Sequence, residues 1–236
     1  MGELEGRIAI ITGAADGIGA ATATMFADAG AVVVGIDRAE REGIVAADVT
    51  DEAAMAAVVA GAVERHGRVD CLVNVVGGSR PGKTTKELSL VEWNELLALN
   101  LTSTFLMSRA VLPHMEAAGS GTIVNVSSGA GLRGMKANPG YVAAKAGVAA
   151  FTRALAIDHG PKGVRVNAVA PGPIRTPLMD RNRSPEEIVA MGSLALLGRI
   201  GQPEEIAATI LWLASDASSY LVGQTLEVDG GVASLV

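Results

Sequence analysis

The residues best suited to chemistry are Tyr141 and Lys145, in Tyr141-Val-Ala-Ala-Lys145. Side chains four apart share one face of a helix. A tyrosine hydroxyl ordinarily titrates near 10, and a neighbouring ammonium favours the phenolate and lowers that value. A tyrosine tuned in this way can give a proton to a carbonyl being reduced or take one from an alcohol being oxidised. Alone, such a pair is a helical coincidence, so its surroundings decide. Thirteen residues before Tyr141 stands Ser128, just past the apolar run 122–126. A serine there can polarise a substrate oxygen. Ser127 is its neighbour, and periodicity does not separate the two.

A second group is the turn Thr12-Gly13-Ala14-Ala15-Asp16-Gly17-Ile18-Gly19, between an apolar strand at 7–11 and a helix-like stretch at 20–29. Glycines let the chain turn sharply. They also let a phosphate approach the free N–H groups of the following helix. The next strand, 31–36, ends at Asp37, where an acid can hold the ribose hydroxyls of a dinucleotide. A carboxylate at that place repels a 2′-phosphate, so NAD is expected ahead of NADP. Arg38 is the counter-argument, because it could receive that phosphate.

The elements that must position these residues alternate from end to end. After the strand at 44–48 comes a helix at 51–66, expected to be capped by Thr50, then strand 69–76 and a long helix at 92–118. Strand 122–126, helix 141–159, strand 164–169, helix 203–215 and strand 225–228 follow. This order predicts an α/β fold: a single doubly wound parallel-sheet (Rossmann-like) domain over 1–236, with helices on both faces. The core must come from Ala, Val, Ile and Leu, since the chain has three Phe, two Tyr and two Trp. Such residues suit a parallel sheet covered on both faces. Helices 92–118 and 141–159 are apolar on more than one face, so subunit contacts are expected there.

Bulk properties exclude several classes. A net charge of −6 argues against a nucleic-acid partner. The single Cys71 excludes an internal disulfide framework and reads as a buried hydrophobe. No uninterrupted apolar run is long enough for a membrane span, and the acidic start, Met1 to Glu5, does not resemble a signal peptide. A cytoplasmic protein without membrane partners is expected. His66, His114 and His159 fall on separate helices without ligand spacing, so no catalytic metal is expected.

Taken together, these motifs resemble the short-chain dehydrogenases/reductases over essentially the whole chain. Thr12-Gly13-xxx-Gly17-Ile18-Gly19, with Asp16 inside it, is similar to the family's cofactor loop, and Tyr141-xxx-Lys145 with Ser128 to its catalytic group. The family spacing selects Ser128 over Ser127. The resemblance makes Asn100 a fourth catalytic residue, one that bends a helix and holds a water in the proton relay. It places Asp48 and Val49 at the adenine, and Pro171, Gly172, Ile174 and Thr176 at the nicotinamide amide. It also gives Lys145 the nicotinamide ribose and implies direct hydride transfer between NAD and an alcohol or ketone. A homotetramer or homodimer built on the two apolar helices is implied as well. The family's usual Asn-Asn-Ala-Gly stands here as Asn74-Val75-Val76-Gly77, which keeps Asn74 and Gly77 as cofactor candidates and changes their neighbours. The link from Asp37 to Ile44 is too short for the helix many relatives carry.

Loops 77–83, 129–138 and 174–198 should line a substrate pocket, the last as a mobile apolar lid with Met179 and Met191. Their cations Arg80, Lys83, Arg133 and Lys136 could hold an anionic substrate. Solvated loop charges are the simpler reading. Two other functions compete: an NADPH-dependent reductase of carrier-bound 3-oxoacyl groups, which Asp37 disfavours, and a non-catalytic dinucleotide-binding protein on the same fold.

Overall fold

The computed structural model describes residues 2–232, and of Asn182 the backbone only. Seven parallel strands form one sheet in the order β3-β2-β1-β4-β5-β6-β7. They are β1 Ile8–Thr12, β2 Val32–Asp37, β3 Ile44–Ala46, β4 Cys71–Asn74, β5 Gly121–Val126, β6 Val164–Pro171 and β7 Thr225–Val228. The helices are α1 Gly17–Asp28, α2 Glu52–His66, α3 Leu90–Leu97, α4 Ser103–Ala118, α5 Gly129–Arg133, α6 Pro139–His159, α7 Pro177–Asn182, α8 Pro185–Gly192 and α9 Pro203–Ala214.

β1 and β4 are buried along their whole length, and their alternate residues divide between two cores, as the two-residue period of a strand requires. Ile10, Leu72 and Ile123 face Met55 and Val59 of α2 and Met107, Val111 and Met115 of α4. Ala9, Ile11, Val73 and Val124 face Phe26 of α1 and Ile206, Ile210 and Leu213 of α9. The strand order reverses between β1 and β4, and their carboxyl ends open the crevice in which doubly wound sheets bind ligands. Thr12 fastens this edge, its Oγ1 accepting from the N–H groups of Val75 at 3.0 Å and Val76 at 3.3 Å.

Three local expectations need correction. The cap of α2 is Asp51, whose carboxylate accepts from Ala53 N and Ala54 N at 2.9 and 3.1 Å. Thr50 instead donates both its N–H and its hydroxyl to Asp48. The helix expected at 92–118 begins two residues earlier, behind a Ser89/Glu92 capping box, and carries a π-helical turn, Ala98–Thr102, at Asn100. The loop 174–198 holds two short helices, α7 and α8, capped by Thr176 and Ser184.

The continuous helix through α3 and α4 is, by length and composition alone, apolar enough to cross a bilayer. Here α4 lies against the sheet, with Met107, Val111 and Met115 fully covered. Leu90, Val91, Phe105 and Ile157, on α3, α4 and α6, stay exposed on this chain.

Candidate active site

A cavity of about 690 Å³ runs along the carboxyl ends of the strands, from Asp37 and Arg38 to Ser128, Tyr141 and Lys145. At one end the loop from Gly13 to Gly19 leads into α1. A Cβ on Gly19 would lie 1.9 Å from the Gly13 carbonyl oxygen, so only glycine lets the first turn of α1 close on the loop. Asp16, at the N-cap, makes no side-chain capping bond to the helix. The first turn therefore keeps donors and a positive dipole end for an anion. Asp37 is fixed by two backbone donors, Ala15 N at 3.2 Å and Ala39 N at 3.1 Å. Gly13, Asp16, Gly17, Ile18, Gly19, Asp37, Val49, Gly77, Pro171, Gly172, Ile174 and Thr176 all line the cavity. Its length, its glycine turn and its acid at one end fit an extended dinucleotide.

Two cofactor candidates are engaged elsewhere. The Asp48 carboxylate is turned to Thr50, whose donors hold it below the ordinary carboxyl range. Asn74 is buried, and its Nδ2 donates to Asn125 Oδ1 at 2.9 Å, linking β4 to β5 beneath the crevice.

At the other end, α6 begins with Pro139 and carries Tyr141 and Lys145 one turn apart. Lys145 is 3% exposed, and its Nζ donates to the Val126 carbonyl oxygen at 2.8 Å. Burial pulls its pKa down to about 8. Burial also pushes the Tyr141 hydroxyl above its ordinary value, and a hydrogen bond with Ser128 offsets this in part. The expectation of a lowered tyrosine is thus reversed in the protein alone, because burial of the phenol outweighs what its neighbours offer. Ser128 also caps α5, accepting from Ala130 N at 3.2 Å. Ser127 is turned away, its hydroxyl donating to the Lys145 carbonyl at 2.8 Å. The geometry therefore separates two serines that periodicity could not.

Asn100 reaches the site from behind. Its Nδ2 donates to the carbonyls of Gly78 and Leu96, both at 2.9 Å, and Gly78 N donates to its Oδ1 at 3.0 Å. The π-helical turn thus spends its irregularity on clamping the loop after β4.

Sequence reasoning passed over Thr12 as a structural donor–acceptor, although a polar residue closing an apolar strand is a readable signal. Of the loop cations Arg80, Lys83, Arg133 and Lys136, for which solvated charges are the simpler reading, three have acidic partners. Arg80 pairs with Glu95, Lys83 with Glu92, and Arg133 with Glu227 and, at 3.2 Å, Asp229. Among the described residues, no group of three or more His, Cys, Asp or Glu could hold a metal ion.

Comparison with known proteins identifies the family. Residues 13–233 match the family model described as enoyl-(acyl carrier protein) reductase. The chain is 44% identical to cis-4-hydroxycyclohexanecarboxylate dehydrogenase of Sinomonas cyclohexanicum, over 95% of this chain and 96% of that protein. It is 38% identical to the 3-oxoacyl-[acyl-carrier-protein] reductase of Thermotoga maritima, over 97% and 98% respectively. The ligand-free structure of Thermoplasma acidophilum aldohexose dehydrogenase superposes with a TM-score of 0.92 at 30% identity, covering 98% of this chain and 95% of that one. The chain belongs to the short-chain dehydrogenases/reductases, and is an oxidoreductase acting on a CH–OH group with a nicotinamide cofactor.

Proposed function

We propose that the protein interconverts a small secondary alcohol and its ketone with NAD, and that Tyr141 is the group that moves the proton. The observation that carries this reading is the meeting of Tyr141, Ser128 and buried Lys145 at one end of a cavity whose other end holds Asp37. When bound, the nicotinamide accepts or supplies the hydride. Ser128 holds the substrate oxygen, and the Tyr141 hydroxyl gives or takes its proton. Lys145 supplies positive charge beside the tyrosine and a donor for the nicotinamide ribose. Asn100 holds the loop through Gly78 and keeps this end of the site in register.

Cofactor preference rests on Asp37. Its carboxylate is prefixed by Ala15 N and Ala39 N, accepts from ribose hydroxyls and repels a 2′-phosphate. This favours NAD over the NADPH of a carrier-protein reductase. The ring-hydroxylated acid named for the Sinomonas relative suits a compact, largely apolar pocket, and small cyclic alcohols are the class to test first. Helices α7 and α8, which bring Leu178, Met179 and Met191 to the cavity, act as its lid. The exposed Leu90, Val91, Phe105 and Ile157 support assembly into a homodimer or homotetramer.

The test is a panel of cyclic alcohols and ketones followed by NADH absorbance, with NADP and NADPH run in parallel. Turnover with NAD, lost in Tyr141→Phe, is expected. A clear preference for NADPH would overturn the cofactor assignment.

A further inference from the structure

Five hydroxyl-bearing residues border the cavity: Ser79, Ser127, Ser128, Tyr141 and Thr176. Ser127 donates to the Lys145 carbonyl, and Ser128 and Tyr141 bond each other. Thr176 accepts from Met179 N at 3.3 Å as the cap of α7, and it stands against Gly17 at the glycine turn. Ser79 also acts only as an acceptor, but on the loop after β4. Its oxygen accepts from Asn138 Nδ2 at 2.6 Å, so its own proton is directed elsewhere, because an amide N–H₂ offers no lone pair to receive it.

Asn138 is built for this contact. It occupies the N-cap of α6, a position where an asparagine ordinarily accepts from the helix's first N–H groups. Here it makes no capping bond. It is 1% exposed, and its Nδ2 also contacts Met135 Sδ at 3.5 Å. A thioether sulfur only accepts, so the Met135 contact sets the orientation of the amide and turns its Nδ2 to Ser79. Its Oδ1 is buried without a hydrogen-bond partner.

The loop carrying Ser79 is held on both sides. Gly78 is clamped by Asn100. The Ala137 carbonyl accepts from Gly82 N and Lys83 N at 2.9 and 3.2 Å. Ala137 itself has φ +53°, a left-handed conformation that a non-glycine residue keeps only when its surroundings impose it. Around it the wall carries Leu99, Met135 and Leu194, with the cations Arg133, Arg181 and Arg183 also reaching the cavity.

We propose that Ser79, oriented by Asn138, is a specificity-determining hydrogen-bond donor for a second oxygen on the substrate, distinct from the oxygen handled by Tyr141. The substrate class is a compact apolar skeleton that carries, besides the reacting alcohol or ketone, a further hydroxyl, carbonyl or carboxylate oxygen. The cations that reach this part of the cavity are paired, Arg133 with Glu227 and Asp229, Arg183 with Glu187 and Arg181 with Asp16, and the neutral Ser79 donor makes this distinction. The proposal rests on the cavity being the substrate site of the reaction above.

The test separates binding from chemistry. In the Tyr141→Phe protein loaded with NADH, calorimetry measures the affinities of 4-hydroxycyclohexanone and 4-methylcyclohexanone, which differ by a hydroxyl in place of a methyl. The hydroxy ketone is expected to bind about 3–10 times more tightly, the worth of one hydrogen bond. Adding Ser79→Ala removes that preference. Asn138→Ala reduces it, and combining Asn138→Ala with Ser79→Ala produces no further loss, which a merely structural asparagine would not show. An equal affinity for the two ketones, a preference that survives Ser79→Ala, or binding of neither ketone would overturn the proposal. Absence of turnover across the wild-type panel alongside an intact binding preference would overturn the small-cyclic-alcohol reading of the reaction and not this one.

Discussion

Asn100 and Gly78 hydrogen-bond each other in both directions: Nδ2 donates to the Gly78 carbonyl at 2.9 Å, and Gly78 N donates to Oδ1 at 3.0 Å. A side-chain amide thereby pairs with a backbone peptide as a strand would, and the loop after β4 inherits the rigidity of the helix below it. Asn100→Leu removes these bonds and the one to the Leu96 carbonyl. It is expected to cost about 1–3 kcal/mol in urea unfolding and roughly 10²-fold in kcat, the effect of misplacing reacting groups by about an ångström. Unchanged kcat in a folded variant would show that the clamp does not position the site.

Gly77 lies between two of the site's polar groups. A Cβ added there would sit 2.8 Å from both Asn100 Oδ1 and Lys145 Nζ. Neither group can retreat freely, since each is hydrogen-bonded to backbone. Gly77→Ala is expected to lower stability by about 1–3 kcal/mol, as overpacking does, and to reduce kcat more than it raises the KM for NAD. Wild-type turnover would contradict this close packing.

Much of this arrangement is legible in the sequence. The alternation of apolar strands and helices yields the doubly wound sheet, because every strand from β1 to β6 is followed by a crossover. The Gly13–Gly19 turn and the Tyr141/Lys145 spacing locate both ends of the cavity. What the sequence leaves open depends on three-dimensional competition between equals. Thr50 and Asp51 are both good caps, and Asp48 draws Thr50 away from α2. Ser127 and Ser128 are adjacent, and only the Lys145 carbonyl shows which one turns aside. The π-helical turn at Asn100 has no sequence period of its own. The ion pairs of Arg80 and Arg133 join residues distant in sequence, so their commitment could not be seen from loop composition.

Lys145 carries a stability consequence with a definite sign. Its pKa falls from the ordinary 10.5 to about 8 through burial, so between those values the unfolded chain binds more protons than the folded one. Unfolding free energy of the cofactor-free protein therefore rises with pH across that window, and the full penalty for the buried charge is present below pH 8. Lys145→Met removes it. The variant is expected to be inactive yet more stable than wild type at pH 7, by up to about 3 kcal/mol, with the gain shrinking towards pH 10. Chemical denaturation at both pH values checks this, and a variant less stable at pH 7 than at pH 10, relative to wild type, would contradict it.

Asp37 governs the adenosine end. Asp37→Ala is expected to weaken NAD by about tenfold, the loss of a charge-assisted hydrogen bond, and to improve NADP relative to NAD as the repulsion disappears. The ratio of kcat/KM for the two cofactors reads this directly. An unchanged ratio would remove Asp37 from cofactor selection.

The proton-transfer role of Tyr141 is tested by the Tyr141→Phe substitution, assayed on the alcohol that the wild-type protein oxidises best, with NADH binding followed separately by fluorescence. The aromatic ring stays and only the hydroxyl is lost, so the fold and the cofactor site are preserved. NADH affinity is expected to stay within about twofold of wild type, and kcat to fall about 10²–10⁴-fold, the range of general acid–base catalysis. Turnover within tenfold of wild type would show that the proton moves through another group and would contradict the role assigned to Tyr141.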